Sequence, residues 1–151
     1  MKIQPLHELR QVTGWEEFFR HGEGFLNTAA RAQSKGVQAF TPEILYNLIA
    51  MAIEKFIMAA LMRCGELPYN HTMADLVAAM EQVFPGKMGE IGEGLLKMDQ
   101  YQDICDLDGF KISPPQMKEI PAMLELAERL RRLVAGLTDR DGQAAPTGRV
   151  S

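Results

Sequence analysis

The 151-residue chain has two cysteines, Cys64 and Cys105, and no CxxC pair. That excludes a disulfide-stapled scaffold and a zinc site built on paired thiolates, and it suits a reducing, cytoplasmic setting. Aromatic residues make up only 7%, with one Trp, and no stretch alternates apolar and polar with a period of two. Sheet architectures are therefore disfavoured. The amino terminus, MKIQPLHELRQ, lacks the apolar run of a signal peptide. Leu45 to Met62 is the greasiest stretch, but Asn47, Glu54 and Lys55 interrupt it, so no membrane span or membrane partner is expected. There is no P-loop, no GxGxxG, no HExxH and no GxSxG, and the only serines are Ser34, Ser113 and Ser151. No cofactor and no metal are expected. Glu17 and His21 share a helix face, yet the Glu-x-x-His pattern of a di-iron bundle is not repeated.

What the chain does have is methionine and helix grammar. Ten Met exceed the seven Phe, three Tyr and one Trp, so long flexible side chains fill the interior. Thr13 to Glu16 reads as a capping box, followed by an apolar stripe through Trp15, Phe18, Phe19, Gly22, Phe25, Leu26 and Ala29, with Gly36 as the stop. Thr41-Pro42-Glu43 opens a second helix that is apolar around most of its circumference, the mark of the central helix of a bundle. Arg63-Cys64-Gly65 closes it. Thr72 to Asp75 opens a third, shorter helix that Pro85-Gly86 stops. The Gly-dotted stretch over 88–98 predicts a short or irregular helix, because each Gly costs about 1 kcal/mol there. Asp99 to Phe110 reads as loop, with a turn of helix near Tyr101. Ser113-Pro-Pro-Gln116 caps a last helix ending near Leu137.

The expected architecture is all-α: an antiparallel up-and-down bundle of four main helices and one short one. Residues 1–12 read as an extension, 13–137 as the bundle and 138–151 as a polar, flexible tail.

Charge is uneven. Residues 86–108 carry Lys87 and Lys97 against Glu90, Glu93, Asp99, Asp103, Asp106 and Asp108, a local excess equal to the chain's net −4. A solvated acidic loop or a hard-cation site both fit. Arg129, Arg131, Arg132 and Arg140 make the last helix basic toward its end.

Chemistry-bearing side chains gather at the junction of the second and third helices. Arg63 offers a planar fork for phosphate, His71 an acid or base near neutral pH, and Asn70 an orienting amide. Local jobs also suit them: Arg63 complements a helix carboxyl end, Asn70 makes a turn and His71 precedes a cap.

The run from Tyr46 to Met80 resembles the HEPN family, the higher-eukaryote and prokaryote nucleotide-binding domains. Ala52, Glu54, Lys55, Ala59, Gly65, Pro68, His71 and Leu76 carry the likeness. The resemblance implies a homodimeric helical bundle that binds a nucleotide, RNA or a partner protein such as a nucleotidyltransferase or an antitoxin. Glu54, Lys55, Arg63, Asn70 and His71 are the ligand-binding candidates it points to. Ribonuclease members of the family have a shorter gap between Arg and His, with a polar residue directly after the Arg. Here seven residues, Cys64 to Asn70, intervene. A non-catalytic module is therefore the first expectation. A metal-independent, toxin-like ribonuclease using Arg63 and His71 is the alternative, and a structural or regulatory bundle docking through a Met-rich surface is the third.

Overall fold

The computed structural model describes residues 4–68, 70–102 and 115–147. Five α-helices follow one another: α1 (Gln4–Lys35), α2 (Pro42–Arg63), α3 (Met73–Val83), α4 (Gly89–Gln102) and α5 (Ile120–Thr147). A 3-10 turn, Met117–Glu119, leads into α5. The molecule is an all-α helical bundle, with no strand among the described residues.

The ends of α2 follow from its sequence. Thr41 Oγ accepts from the Ile44 amide at 3.2 Å, and Pro42 stands where a missing N–H costs nothing. At the other end Glu66 N–H reaches Leu61 O (2.8 Å) and Gly65 N–H reaches Met62 O (2.9 Å), with Gly65 at φ +75°. This paired closure needs a left-handed residue, which glycine supplies without strain.

Twelve residues of α2 are buried, and α1, α3 and α5 surround the helix. Its length and composition are those of a membrane-crossing helix, with a mean hydropathy of 1.7 over the most apolar window. However, 61% of that window is buried inside the bundle. The apolarity is thus used by the core, whose largest side chains include Phe56, Ile53, Leu76, Leu95 and Ile120. Seven methionines (Met58, Met62, Met73, Met80, Met88, Met98 and Met123) are buried too. Methionine here is core filling more than docking surface, and Met51 and Met117 are the exposed ones among those described.

α1 and α2 make the most extensive helix pair. They approach closely because Gly22 has no side chain: a Cβ there would lie 2.8 Å from the Phe56 ring and 3.2 Å from Ala52 O. Phe19 then meets Phe56 with ring centroids 5.3 Å apart.

Several boundaries differ from expectation. α1 begins at Gln4, ahead of the capping box expected to open it at Thr13. No Gly or Pro interrupts the chain between Pro5 and Thr13, and Pro5 falls in the first turn where it is tolerated. α5 likewise passes Leu137 and runs to Thr147. Thr138 is buried, and its hydroxyl donates to Val134 O at 2.9 Å, so the polar residue is satisfied by the helix itself. α4 is a regular helix of 14 residues, and the helical turn expected near Tyr101 is its last turn rather than a separate one within a loop. Gly94 serves packing. A Cβ at Gly94 would lie 2.9 Å from Leu126, so its absence lets α4 settle on α5. The expected cap at Ser113 and the remainder of the loop, with Cys105 and three of the aspartates, lie outside the described residues. The observed cap is Gln116, whose backbone N–H donates to Glu119 Oε1 at 2.8 Å.

Candidate functional site

α2 places the candidate residues by its own pitch. Glu54 and Arg63 are nine residues apart, or two and a half turns, so they leave opposite sides of the helix about 13 Å apart along its axis. Asn47, seven residues before Glu54, returns to nearly the same side.

On that side Glu54 Oε2 contacts His71 Nδ1. The pair borders a pocket of about 300 Å³ with Tyr46, Asn47, Met51 and Met73. His71 is held at this spot by the start of α3. Thr72 Oγ accepts from Asp75 N–H (3.1 Å) and donates to the Asp75 carboxylate (2.8 Å). Asp99, reaching across from α4, accepts from the amides of Met73 and Ala74, each at 3.1 Å. A carboxylate at a helix amino terminus satisfies orphan donors and meets the positive end of the dipole. α4 is itself pinned to α2, because the Tyr46 hydroxyl donates to Met98 O at 3.1 Å and the Tyr46 and Tyr101 rings meet edge-on at 5.5 Å. Burial pushes the Tyr101 phenol above its ordinary value, and the Glu119 carboxylate beside it adds to the rise.

A carboxylate against one imidazole nitrogen orients the ring, the usual arrangement of an acid–base histidine. Glu54 and His71 were both named by sequence, and the structure brings them together. The other candidates go elsewhere. Lys55 Nζ lies over the Phe18 ring, 4.5 Å from its centroid, on the α1 side. The Arg63 guanidinium lies 5.8 Å from the Trp15 centroid and borders a different pocket, with Cys64, Lys87 and Arg132. Such contacts are worth about 0.5–1 kcal/mol at exposed sites. Asn70 is exposed in the loop before His71.

Sequence reading passed over Asp99 and Asn47. Asn47 had a signal, its seven-residue spacing from Glu54; Asp99 had none, since its partners are 25 and 26 residues away. Part of the acidic segment is thereby explained by structure: Asp99 caps α3, and Glu90 faces Arg129 at 3.7 Å. Among the described residues no group of three or more His, Cys, Asp or Glu side chains is placed to hold a metal ion. Glu17 and His21 are both exposed on α1.

On α5, Arg131 joins Glu128 through Nε (3.1 Å) and Nη2 (2.6 Å) and reaches Glu23 of α1 at 3.4 Å. The Arg131 hydrogen bonds hold the Glu128 carboxyl below the usual carboxylate range, against a smaller opposing effect of burial. This is a structural clamp between α1 and α5.

The fold and this junction define a helical bundle with a histidine–carboxylate pair at one helix end. No family model, curated protein or solved structure matches the chain significantly.

Proposed function

We propose that the chain is a non-catalytic, HEPN-like helical module that pairs with a second copy of itself. A nucleotide, an RNA or a partner protein such as a nucleotidyltransferase or an antitoxin would be held beside the seam. One observation supports this above the others: the open strip of an otherwise enclosed core helix carries large apolar side chains. Ile44 and Met51, one heptad apart on α2, are 42% and 41% exposed, and Leu67 in the following loop is 48% exposed. Asn47, Glu54 and His71 line the polar edge of the same strip. Apolar anchors edged by polar groups suit a protein interface. The separation of Arg63 from His71 within one protomer favours binding over catalysis. Light scattering coupled to size exclusion tests the pairing: the chain should run as a dimer, and Met51→Glu should run as a folded monomer. A wild-type monomer at every concentration would overturn the proposal.

A metal-independent ribonuclease is the second reading, favoured by the Glu54–His71 contact. His71 would exchange protons with the ribose, and Arg63 of the other protomer would have to supply the charge on the phosphate. Purified chain that leaves RNA intact, or that cleaves it equally well as His71→Ala, eliminates this reading.

A further inference from the structure

The pocket of about 300 Å³ beside α2 has an uneven lining. Glu54 and His71 stand toward one end. Asn47 stands toward the other, seven residues earlier on the same helix, or about 10 Å along its axis. Between them Ala50, Met51 and Leu76 supply apolar wall. Met51 is 41% exposed, so its thioether is open to a flat ligand laid along the helix. An apolar wall with a few fixed polar groups is the usual make-up of a small-molecule site, and the volume lies at the lower end of the usual range of about 300–1,000 Å³.

We propose that this pocket takes a guanine base, an inference that rests on the reading of the junction as a nucleotide-binding surface. An ionised carboxylate can only accept hydrogen bonds. His71 Nδ1, in contact with Oε2, holds the Glu54 carboxylate in place at the pocket's edge. A base that meets it must therefore present donors. Guanine alone among the four RNA bases sets two adjacent donors, the ring N1–H and the 2-amino group, on one edge. They can meet the two carboxylate oxygens as a fork. Adenine and cytosine place a ring-nitrogen acceptor beside their single amino group, and uracil flanks its one N–H with two carbonyls. Each of these sets an acceptor against the carboxylate, which repels it. Toward the other end the Asn47 amide can donate to N7 or O6, the acceptors on guanine's opposite edge. A two-ring purine reaches from one polar end to the other better than a pyrimidine does.

Calorimetric titration of the full chain with guanosine, inosine and adenosine monophosphates tests the base, since the sugar phosphate is common to all. The guanosine nucleotide should bind about tenfold or more tighter than the inosine nucleotide, which lacks only the 2-amino donor. That is the difference expected for one charge-assisted hydrogen bond. The adenosine nucleotide, with an acceptor where guanine has N1–H, should bind more weakly still. Glu54→Gln replaces an acceptor with a donor and should erase most of the guanosine preference. Asn47→Ala should weaken the guanosine and inosine nucleotides alike, because N7 and O6 are common to both. Asn47 is exposed and Glu54 partly so, and circular dichroism and thermal melting of both variants should therefore remain those of the wild type. Equal affinity for all the nucleotides, or a guanosine preference that survives in Glu54→Gln, would overturn the base assignment and leave nucleotide binding standing. Absence of saturable binding by any of them in the millimolar range would overturn both.

Discussion

The two sides of α2 differ in what they gather. Toward α3 the helix presents Glu54, and a histidine just before that helix closes on it. Half a helical circumference away it presents Arg63, and two more cations from distant elements gather there. One side sets a carboxylate against an imidazole; the other gathers Arg63, Lys87 and Arg132 around one pocket. A helix buried along most of its length keeps the two apart as a rigid divider, so residues that look adjacent in the sequence, Arg63 and His71, serve different surfaces.

The largest test of this comparison attacks the divider itself. Phe56 is fully buried, packed on Phe19 and pressed against Gly22. Phe56→Ala should cost about 3–5 kcal/mol by chemical denaturation. It should disturb both sides together, loosening the His71 junction and the Arg63 end of α2 in amide exchange. Gly22→Val comes next, at roughly 1–3 kcal/mol, since its new atoms start 2.8 Å from that ring. If either change weakens one side and spares the other, α2 is not a common divider.

A one-sided change comes third. Asp99→Ala removes the acceptor for two α3 amides. The loss should be about 0.5–2 kcal/mol, the range for helix caps, and the first turn of α3 should exchange faster. Amide exchange at the Arg63 end of α2 should stay as it was.

The contrast also shows what was legible in the residues. The ends of α2 and the start of α3 could be read because their signals are local: Thr41-Pro42, Gly65 and Thr72 each act within a few positions. Five helices and a central α2 follow from the same periodicity. The capping box at Thr13 misled because a cap competes with simple continuation, and no breaker stands in residues 6–12. The glycines of α4 misled because the cost of Gly94 is offset by close contact with Leu126, which only packing reveals. The site was half legible. Glu54 and His71 could be named, but their meeting depends on Asp99 and Tyr46 holding α4 and α3 in place. The basic pocket was not legible at all, since Lys87 belongs to the acidic stretch of the sequence and joins Arg63 and Arg132 only in three dimensions.

Acid provides a finer probe. Glu128 is ionised more easily in the folded chain than in the unfolded one, because Arg131 holds its carboxyl below the ordinary value of 4.5. Its contribution is fully present above that ordinary value and is lost as pH falls through the lower folded value. Glu128→Gln should therefore flatten the acid limb of the stability curve below about pH 4.5. At neutral pH it should cost little, because the clamp is about one-third exposed and exposed pairs are worth about 0–1 kcal/mol. The clamp ties α1 to α5 away from the Glu54 side, so RNA or nucleotide binding at His71 should not follow this titration.

The smallest expected effect discriminates most sharply. His71 is about half exposed and Glu54 about one-third, so their contact lies in solvent and is worth about 0–1 kcal/mol. Glu54→Gln should leave thermal melting within that margin, since the amide keeps the shape and can still meet the imidazole. A pair that only decorates a helix end would show nothing further. If the pair belongs to a binding surface, Glu54→Gln and His71→Ala should each weaken dimerisation or ligand binding while stability stays put. The Arg63 side should be silent in both. Measured together by light scattering, nucleotide titration and melting, these two variants separate a working junction from a merely folded one. Equal, unaltered association in both would leave Ile44, Met51 and Leu67 as the whole interface.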